Sequence, residues 1–455
     1  MTHWLSPETY PITQEGWSRK ADYALSDFAD NPQDVKKLTN QIIDHASQLL
    51  SEAGVSESSF SKVPIYLGAT AGMRVIDASK RDAVMAQVRA NFEASPFKFS
   101  DHYANVISGE EEAIFGFIAS NYLMGEFTDN SDPNKAIGAL DLGGASTQIT
   151  FGTTGTLLEG VWDLKGPNHK RYYTYTRSFL YYGLEQWKDR IHNRVAEGTP
   201  TTEGGNTYEH PCLNTGAEMD FTTVPNTLDG PATVRQVHFI GKSDSDACAA
   251  LTRDIMHFDD FCWSKECAFM GVYMPAIPDT AKFVAFSSFP RVLSTAGFPG
   301  ADEQYVSLED IRKYTHDELC AWTWEELQQK LPDSPVEYLK VSCLALNYVY
   351  TLLAEGYKFD PNEKQITFKR SIQPSGLDKP IEVTWALGRM IYEANLLPYA
   401  VKLPTQKSAD VAIVMCVFFS IGFAIMCVLW YRERQRKSGP VPVPEAGYTT
   451  IADQL

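Results

Sequence analysis

The succession of strand and helix signals along this chain predicts an α/β protein. Three observations carry that reading. Val63–Leu67, VPIYL, is a short apolar run that passes into small residues, Gly68-Ala69-Thr70-Ala71-Gly72, as a strand feeding a helix does. Helical periods lie on both sides of it, Val35, Leu38, Ile42, Ile43, Ala46 and Leu49 before, Val84, Met85, Val88 and Phe92 after. Ile137–Gly152, IGALDLGGASTQITFG, reads as two short strands around a Gly-Gly turn.

Taken in order, Pro32 opens the first helix and Gly54 ends it. Asp77 or Ser79 can cap the next. Ser108-Gly109-Glu110-Glu111 is a capping-box pattern, and the helix it opens carries Ile114, Phe117, Ile118 and Tyr122 on one face before Gly125 closes it. Glu110, Glu111 and Glu112 favour the helix dipole in its first turn. One of them facing a cleft would instead be a general base. From Thr153 to about Leu251 the signal is mixed, with a Gly/Thr-rich loop at 198–207. Lys282–Phe289 reads as a buried strand or turn, Leu308–Leu331 and Val336–Tyr357 as helices, and Val383–Gly388 opens a last segment.

The hairpin at 137–152 has the chemistry of a phosphate site. Glycines let backbone N–H groups close around an anion. Asp141 at the turn can hold a hydrated Mg²⁺ or Ca²⁺. Ser146 and Gln148 can orient a water. A plain hairpin with a buried Asp fits the same residues.

A net charge of −17 excludes general nucleic-acid binding, which needs a basic face. Six cysteines, Cys212, Cys248, Cys262, Cys267, Cys320 and Cys343, lie in the middle of the chain, an even number that allows three disulfides in an oxidising compartment. Zinc is the competitor, but Cys262 and Cys267 lack a matching pair at finger spacing. Val411–Tyr431 is an uncharged apolar run long enough to span a hydrocarbon core of ~30 Å. Arg432, Arg434, Arg436 and Lys437 follow it, which puts the tail in the cytoplasm and the rest outside or in a lumen. Met1–Lys20 carries no apolar leader core, so either the span at 411–431 alone inserts the protein or the sequence begins downstream of a leader.

Five stretches in order, YLGATAGMR (66–74), SGEEEAIFGFIASNYLMG (108–125), ALDLGGASTQITF (139–151), FVAFSSF (283–289) and WALGRM (385–390), resemble the ecto-apyrase family, the nucleoside triphosphate diphosphohydrolases. The resemblance implies two ribonuclease-H-like lobes, similar to actin and sugar kinases, around a nucleotide cleft. Residues 1–108, completed by about 385–400, form the first lobe and 109–384 the second. A linker at 401–410, a transmembrane helix at 411–431 and a cytoplasmic tail at 432–455 follow. The implied reaction is release of the γ- and then the β-phosphate of nucleotides by direct attack of water, with Ca²⁺ or Mg²⁺. Glu112 matches the base, Ser146 and Gln148 the residues that hold the water, and Asp141 a carboxylate on metal-bound waters, with Thr70 and Trp385 in the same shell. Gly143, Gly144 and Ala145, with Thr70 and Ala71, match the phosphate-binding segments. Phe289 matches an aromatic under the base, although Pro290 and Arg291 follow where the family has further aromatics. Cys212–Cys248, Cys262–Cys267 and Cys320–Cys343 are the implied disulfides. The expected setting is the plasma membrane rather than the Golgi, with lipid contact through 411–431, and a homo-oligomer is allowed.

One departure sets a further expectation. Family members carry a first phosphate hairpin that nothing in Met1–Tyr66 matches, so the chain is expected to start just after it and to be catalytically crippled, a longer product being the working enzyme. The rival readings are a Golgi-lumen UDP/GDP diphosphatase and a non-catalytic nucleotide-binding membrane protein. A soluble cytosolic polyphosphatase sits badly with the apolar run.

Overall fold

The computed structural model describes Trp17 and residues 21–396, apart from 129, 167, 169, 226, 229, 232, 302–304 and 375–378. The chain divides into two units, Met1–Leu396 and Leu397–Leu455, and every described residue belongs to the first. The linker, the apolar run 411–431 and the tail lie outside the described residues, among which no helix is long and apolar enough to cross a membrane.

The first segment contains α1 (Lys36–Glu52), β1 (Leu67–Ala69), α2 (Ala71–Arg74), α3 (Ala78–Glu93) and β2 (Ala104–Val106). β1 and β2 pair in parallel, and Val35, Leu38, Phe60, Leu67, Val84, Val88 and Phe92 form the core there. The strand expected at Val63–Leu67 starts later than the sequence suggests. Pro64 has no N–H for a ladder, and it makes only an isolated bridge to Lys98. Asp77 caps α3, its Oδ1 accepting from the Ser79 N–H at 2.8 Å.

Next come α4 (Gly109–Leu123), β3 (Gly138–Leu142), β4 (Ser146–Gly152), β5 (Val161–Lys165), β6 (Arg171–Leu180) and α5 (Leu184–Ala196). A small sheet follows, β7 (Thr207–His210), β8 (Glu218–Thr222) and β9 (Gln236–Gly241), then α6 (Ser245–Asp254), β10 (Phe283–Ser287) and α7 (Ser288–Thr295). The last elements are α8 (Leu308–Tyr314), α9 (Trp324–Lys330), α10 (Val336–Leu339), α11 (Ser342–Tyr350), β11 (Ile366–Phe368), β12 (Ser371–Ile372), β13 (Ile381–Glu382) and α12 (Trp385–Leu396).

The main sheet has six strands in the order β11-β10-β3-β4-β6-β5, parallel across the first three and antiparallel beyond. All of β3 is buried because both faces of the sheet are covered. Leu140, Leu142, Ile149, Phe151 and Phe179 pack on one side with Trp187 of α5, Leu293 of α7 and Tyr348 of α11. Ala139, Val284 and Phe286 pack on the other with Ile114 and Phe117 of α4 and Ile391 of α12. Mixed α/β architecture is therefore what the chain adopts, as the sequence predicts.

The cysteines pair as the resemblance implies, Cys212–Cys248, Cys262–Cys267 and Cys320–Cys343. With the sulfurs bonded to one another, the zinc reading falls.

α4 is apolar nearly all round because α12 covers the face turned away from the sheet. The two helices touch at Gly388, where an added Cβ would lie 1.7 Å from the Phe115 carbonyl oxygen. Gly388→Ala is therefore expected to push the helices apart and cost about 1–3 kcal/mol, read as a lower denaturation midpoint at unchanged slope.

Candidate active site

The site is assembled on the turn between β3 and β4. Gly143 N–H donates to the Ser146 carbonyl at 3.0 Å and closes the turn. The turn's carbonyls face inward. Those of Gly143, Gly144 and Ala145 accept from the N–H groups of Leu184 at 2.8 Å, Glu185 at 2.9 Å and Tyr181 at 2.8 Å. This approach requires glycine at 183, where a Cβ would lie 2.4 Å from the Ala145 nitrogen. Among the described residues, the N–H groups of Gly144 and Ala145 donate to no protein acceptor. That leaves two donors for an anion at the turn.

The strand register collects the side chains. Asp141 stands opposite Gln148, Gln148 opposite Ser178 and Phe286 opposite Asp141, one row across four strands. Ser146 is two residues from Gln148 and so shares its face. The start of α4 lies against that face. Ser108 and Glu111 form the expected capping box, with the Ser108 hydroxyl accepting from Glu111 N–H at 3.0 Å and the Glu111 carboxylate accepting from Ser108 N–H at 2.7 Å. Glu111 is thereby occupied and Glu110 is half-exposed, while Glu112, only 5% exposed, turns to the sheet.

Arg74, at the end of α2, joins the cluster. Its Nη2 donates to Glu112 Oε2 at 2.8 Å and to Ser146 Oγ at 3.3 Å. Gln148 Nε2 faces three acceptors, Ser146 Oγ at 2.7 Å, Ser178 Oγ at 3.1 Å and Glu112 Oε2 at 3.3 Å. Among the described residues, Gln148 Oε1 and Asp141 Oδ1 are buried without a partner. Burial first, and the neighbouring Asp141 charge second, hold the Glu112 carboxyl above the usual carboxylate range, against the pull of Arg74. Burial raises Asp141 as well, with the Ser287 hydroxyl pulling the other way. Ser287 has φ +60°, a left-handed conformation that costs a non-glycine residue energy.

Asp141 fits a hydrated divalent cation, because a buried carboxylate oxygen with no partner is what a hard ion completes. Among the described residues no three His, Cys, Asp or Glu side chains converge to enclose a metal. A cation here would rest on Asp141, water and phosphate oxygens, the mode Mg²⁺ favours.

Of the residues singled out in the sequence, the structure brings together Glu112, Ser146, Gln148 and Asp141 beside the turn 143–145. Thr70 and Ala71 lie at the junction of β1 and α2, four and three residues before Arg74, and Trp385 rests against Gly68 of β1. Phe289 is not brought to the site. On α7 its ring is wholly buried in the core and packs edge-on to Phe368 at 6.1 Å, so it has no free face for a base. Arg74 as partner of Glu112, Ser178 and Ser287 were missed. Arg74 stood in a recognised motif, but Ser178 and Ser287 carry no signal until the strands pair.

The geometry can be set beside known proteins. The GDA1/CD39 (nucleoside phosphatase) family matches residues 7–406. Ectonucleoside triphosphate diphosphohydrolase 3 of Homo sapiens is 30% identical over 89% of this chain and 76% of its own length. Ectonucleoside triphosphate diphosphohydrolase 1 of Mus musculus is 31% identical over 82% and 74%. A crystal structure of nucleoside triphosphate hydrolases from Neospora caninum superposes with a TM-score of 0.57 at 16% identity, covering 85% of this chain and 83% of that one, a likeness of fold. A family match over nearly the whole described chain makes this protein a member of the GDA1/CD39 (nucleoside phosphatase) family.

Proposed function

We propose, against the expectation of a catalytically crippled chain, that this chain hydrolyses nucleoside tri- and diphosphates, releasing the terminal phosphate by direct attack of water, with no phosphoenzyme. The observation that carries the reading is one cluster of Glu112, Ser146 and Gln148 beside an Asp141 oxygen and two turn N–H groups, at Gly144 and Ala145, that have no protein partner among the described residues. The names of the relatives point to the same substrates.

In this reading Glu112 takes the proton of the attacking water. A base whose carboxyl sits above the ordinary range is better matched to neutral pH than a free carboxylate. Ser146 Oγ and the free Gln148 Oε1 hold that water. Gly144 and Ala145 N–H groups hold the phosphate oxygens. Ca²⁺ or Mg²⁺, held through water by Asp141 with Thr70 and Trp385 nearby, would supply positive charge to the phosphates and the leaving group. Arg74 balances the carboxylate charge of Glu112.

We read the lobes as 1–108 with about 385–400 and 109–384, with the nucleotide between them. A core cluster at 28–104 separate from those of the six-stranded sheet supports the first boundary, while α12 joins the core of α4 and the sheet and also meets β1, where Trp385 rests against Gly68. The uncharged run 411–431 with its trailing arginines supports a single span, and three disulfides support an oxidising setting for the rest, the plasma membrane before the Golgi.

Phosphate release from ATP, ADP and UDP with Ca²⁺ or Mg²⁺ tests the reading. Glu112→Gln is expected to lower kcat by about 10²- to 10⁴-fold while nucleotide binding is kept. Activity that survives this change sinks the assignment. Arg74→Gln removes the cation that pulls the Glu112 carboxyl down, so the acid limb of the pH–rate profile should move to higher pH.

Charge also sets a stability prediction. Both carboxyls are raised in the folded chain, so above roughly pH 4 these two groups bind more protons in the folded state than in the unfolded one. Their contribution to stability should then fall as pH rises between about pH 5 and pH 8 when chelator is present, opposed below about pH 6.5 by the buried His192 and His210, which burial shifts the other way. Asp141→Asn should flatten that slope and give a higher Tm than the parent at the alkaline end, measured by thermal denaturation.

A further inference from the structure

We infer that Ser178 is a positioning residue that fixes the side-chain amide of Gln148, so that Nε2 faces the carboxylate of Glu112 and Oε1 is left open toward the reaction. The inference rests on the proposed role of Gln148 in holding the water.

An amide has two N–H hydrogens and one carbonyl oxygen, and its two orientations differ only in what surrounds it. Ser146 Oγ at 2.7 Å and Ser178 Oγ at 3.1 Å do not by themselves decide between them, because a hydroxyl donates or accepts. Glu112 Oε2, which as a carboxylate only accepts, selects Nε2 for its side at 3.3 Å, but the contact is long and Arg74 already donates to that oxygen at 2.8 Å. Ser178 Oγ at 3.1 Å, directly opposite on the β4–β6 ladder, is the shorter contact that holds the nitrogen in that place. With both N–H hydrogens engaged by Ser146 and Ser178, Oε1 is the atom left over, and it is buried and without a partner. A buried carbonyl oxygen without a donor is costly unless a ligand completes it.

The fold makes room for this serine. The first residue of α4 is Gly109, and a Cβ there would lie 2.3 Å from both the Cβ and the Oγ of Ser178, and 3.0 Å from Arg74 Nη1. The first turn of a capped helix accepts most residues. Glycine at this one is needed because the Ser178 side chain and Arg74 both pass against it on their way to Gln148 and Glu112. Ser178 is half-buried on a strand, so it is neither a helix cap nor a plain surface residue.

The test is a double-mutant cycle on the full chain with ATP and saturating divalent cation. Ser178→Ala is expected to lower kcat by about 10- to 100-fold with KM for ATP unchanged, since a small misplacement of a positioned group is costly. In a Gln148→Ala background the same change should alter kcat by no more than about twofold, because its effect runs through the amide. Equal effects of Ser178→Ala in both backgrounds, or a rise in KM in place of a fall in kcat, overturns the inference. Wild-type activity in Gln148→Ala alone overturns the role of Gln148 and with it the inference. A Gln148→Ala loss with no Ser178→Ala effect overturns the inference and leaves that role standing. Thermal denaturation of Ser178→Ala separates a folding defect, which the cycle would show as additive.

Discussion

The register of β3 against β4 is the constraint on which the site depends. The Gly143–Gly144 turn closes with one hydrogen bond to Ser146 and thereby sets Asp141 opposite Gln148. Alternation does the rest. Odd and even residues of each strand go to opposite faces, so Leu140, Leu142, Ile149 and Phe151 enter the large core, while Asp141, Ser146 and Gln148 stay together on the side of α4. A slip of one residue would bury the polar row among Trp187 and Tyr348 and turn the apolar row toward Glu112. The hydrophobic cost of that exchange guards the functional arrangement, although no functional residue contributes to it.

Identity of residue type counts for little beside this placement. Glu110, Glu111 and Glu112 are consecutive, yet a helix separates them by about 100° each. The first is half-exposed, the second is consumed by the cap, and the third alone enters a region that already holds Asp141. Two buried carboxyls stand there, and the Arg74 guanidinium pairs with Glu112. The deficit of positive charge costs stability in the metal-free chain and is what a divalent cation and its phosphates would relieve. Burial raises both carboxyls, the Asp141 charge adding to it at Glu112, and among the described residues one Asp141 carboxylate oxygen lacks a partner.

The parts of this arrangement that are legible in the sequence are the local ones. The Gly-Gly turn, the Ser108 capping box, the Asp77 cap and the glycines after α1 and α4 are short-range chemistry, and each is where the pattern places it. The disulfide pairing was read through family resemblance, since spacing does not fix connectivity. What escapes the sequence is long-range. Ser178 is one serine in a mixed stretch until β6 pairs with β4, and Arg74 has no evident partner until α2 meets α4, 38 residues later. Phe289 failed for the opposite reason. An aromatic beside a strand end looks available, but the amphipathic face of α7 turns it into the core.

Support for the turn reaches far into the second half of the chain. The carbonyls of 143–145 are held by the start of α5, so whatever fixes α5 fixes the direction of the free N–H groups. Trp187 of α5 stacks on Tyr348 of α11 at 4.3 Å, and the Tyr348 hydroxyl donates to the Tyr182 carbonyl just before α5. α11 is in turn held by Cys320–Cys343, and Asn347 Nδ2 lies 3.4 Å from Cys320 Sγ and 3.5 Å from Cys248 Sγ, so two disulfides meet at that helix. Tyr357 reaches the hairpin from the same side, its hydroxyl 3.2 Å from Thr147 Oγ1, which donates to the Asp141 carbonyl at 2.8 Å. Donors that stabilise developing charge work only if they need not reorganise when it appears. In the proposed reaction the covalent staples would bear on catalysis as well as on folding, because they restrain the helices that hold the turn's carbonyls and with them its N–H groups.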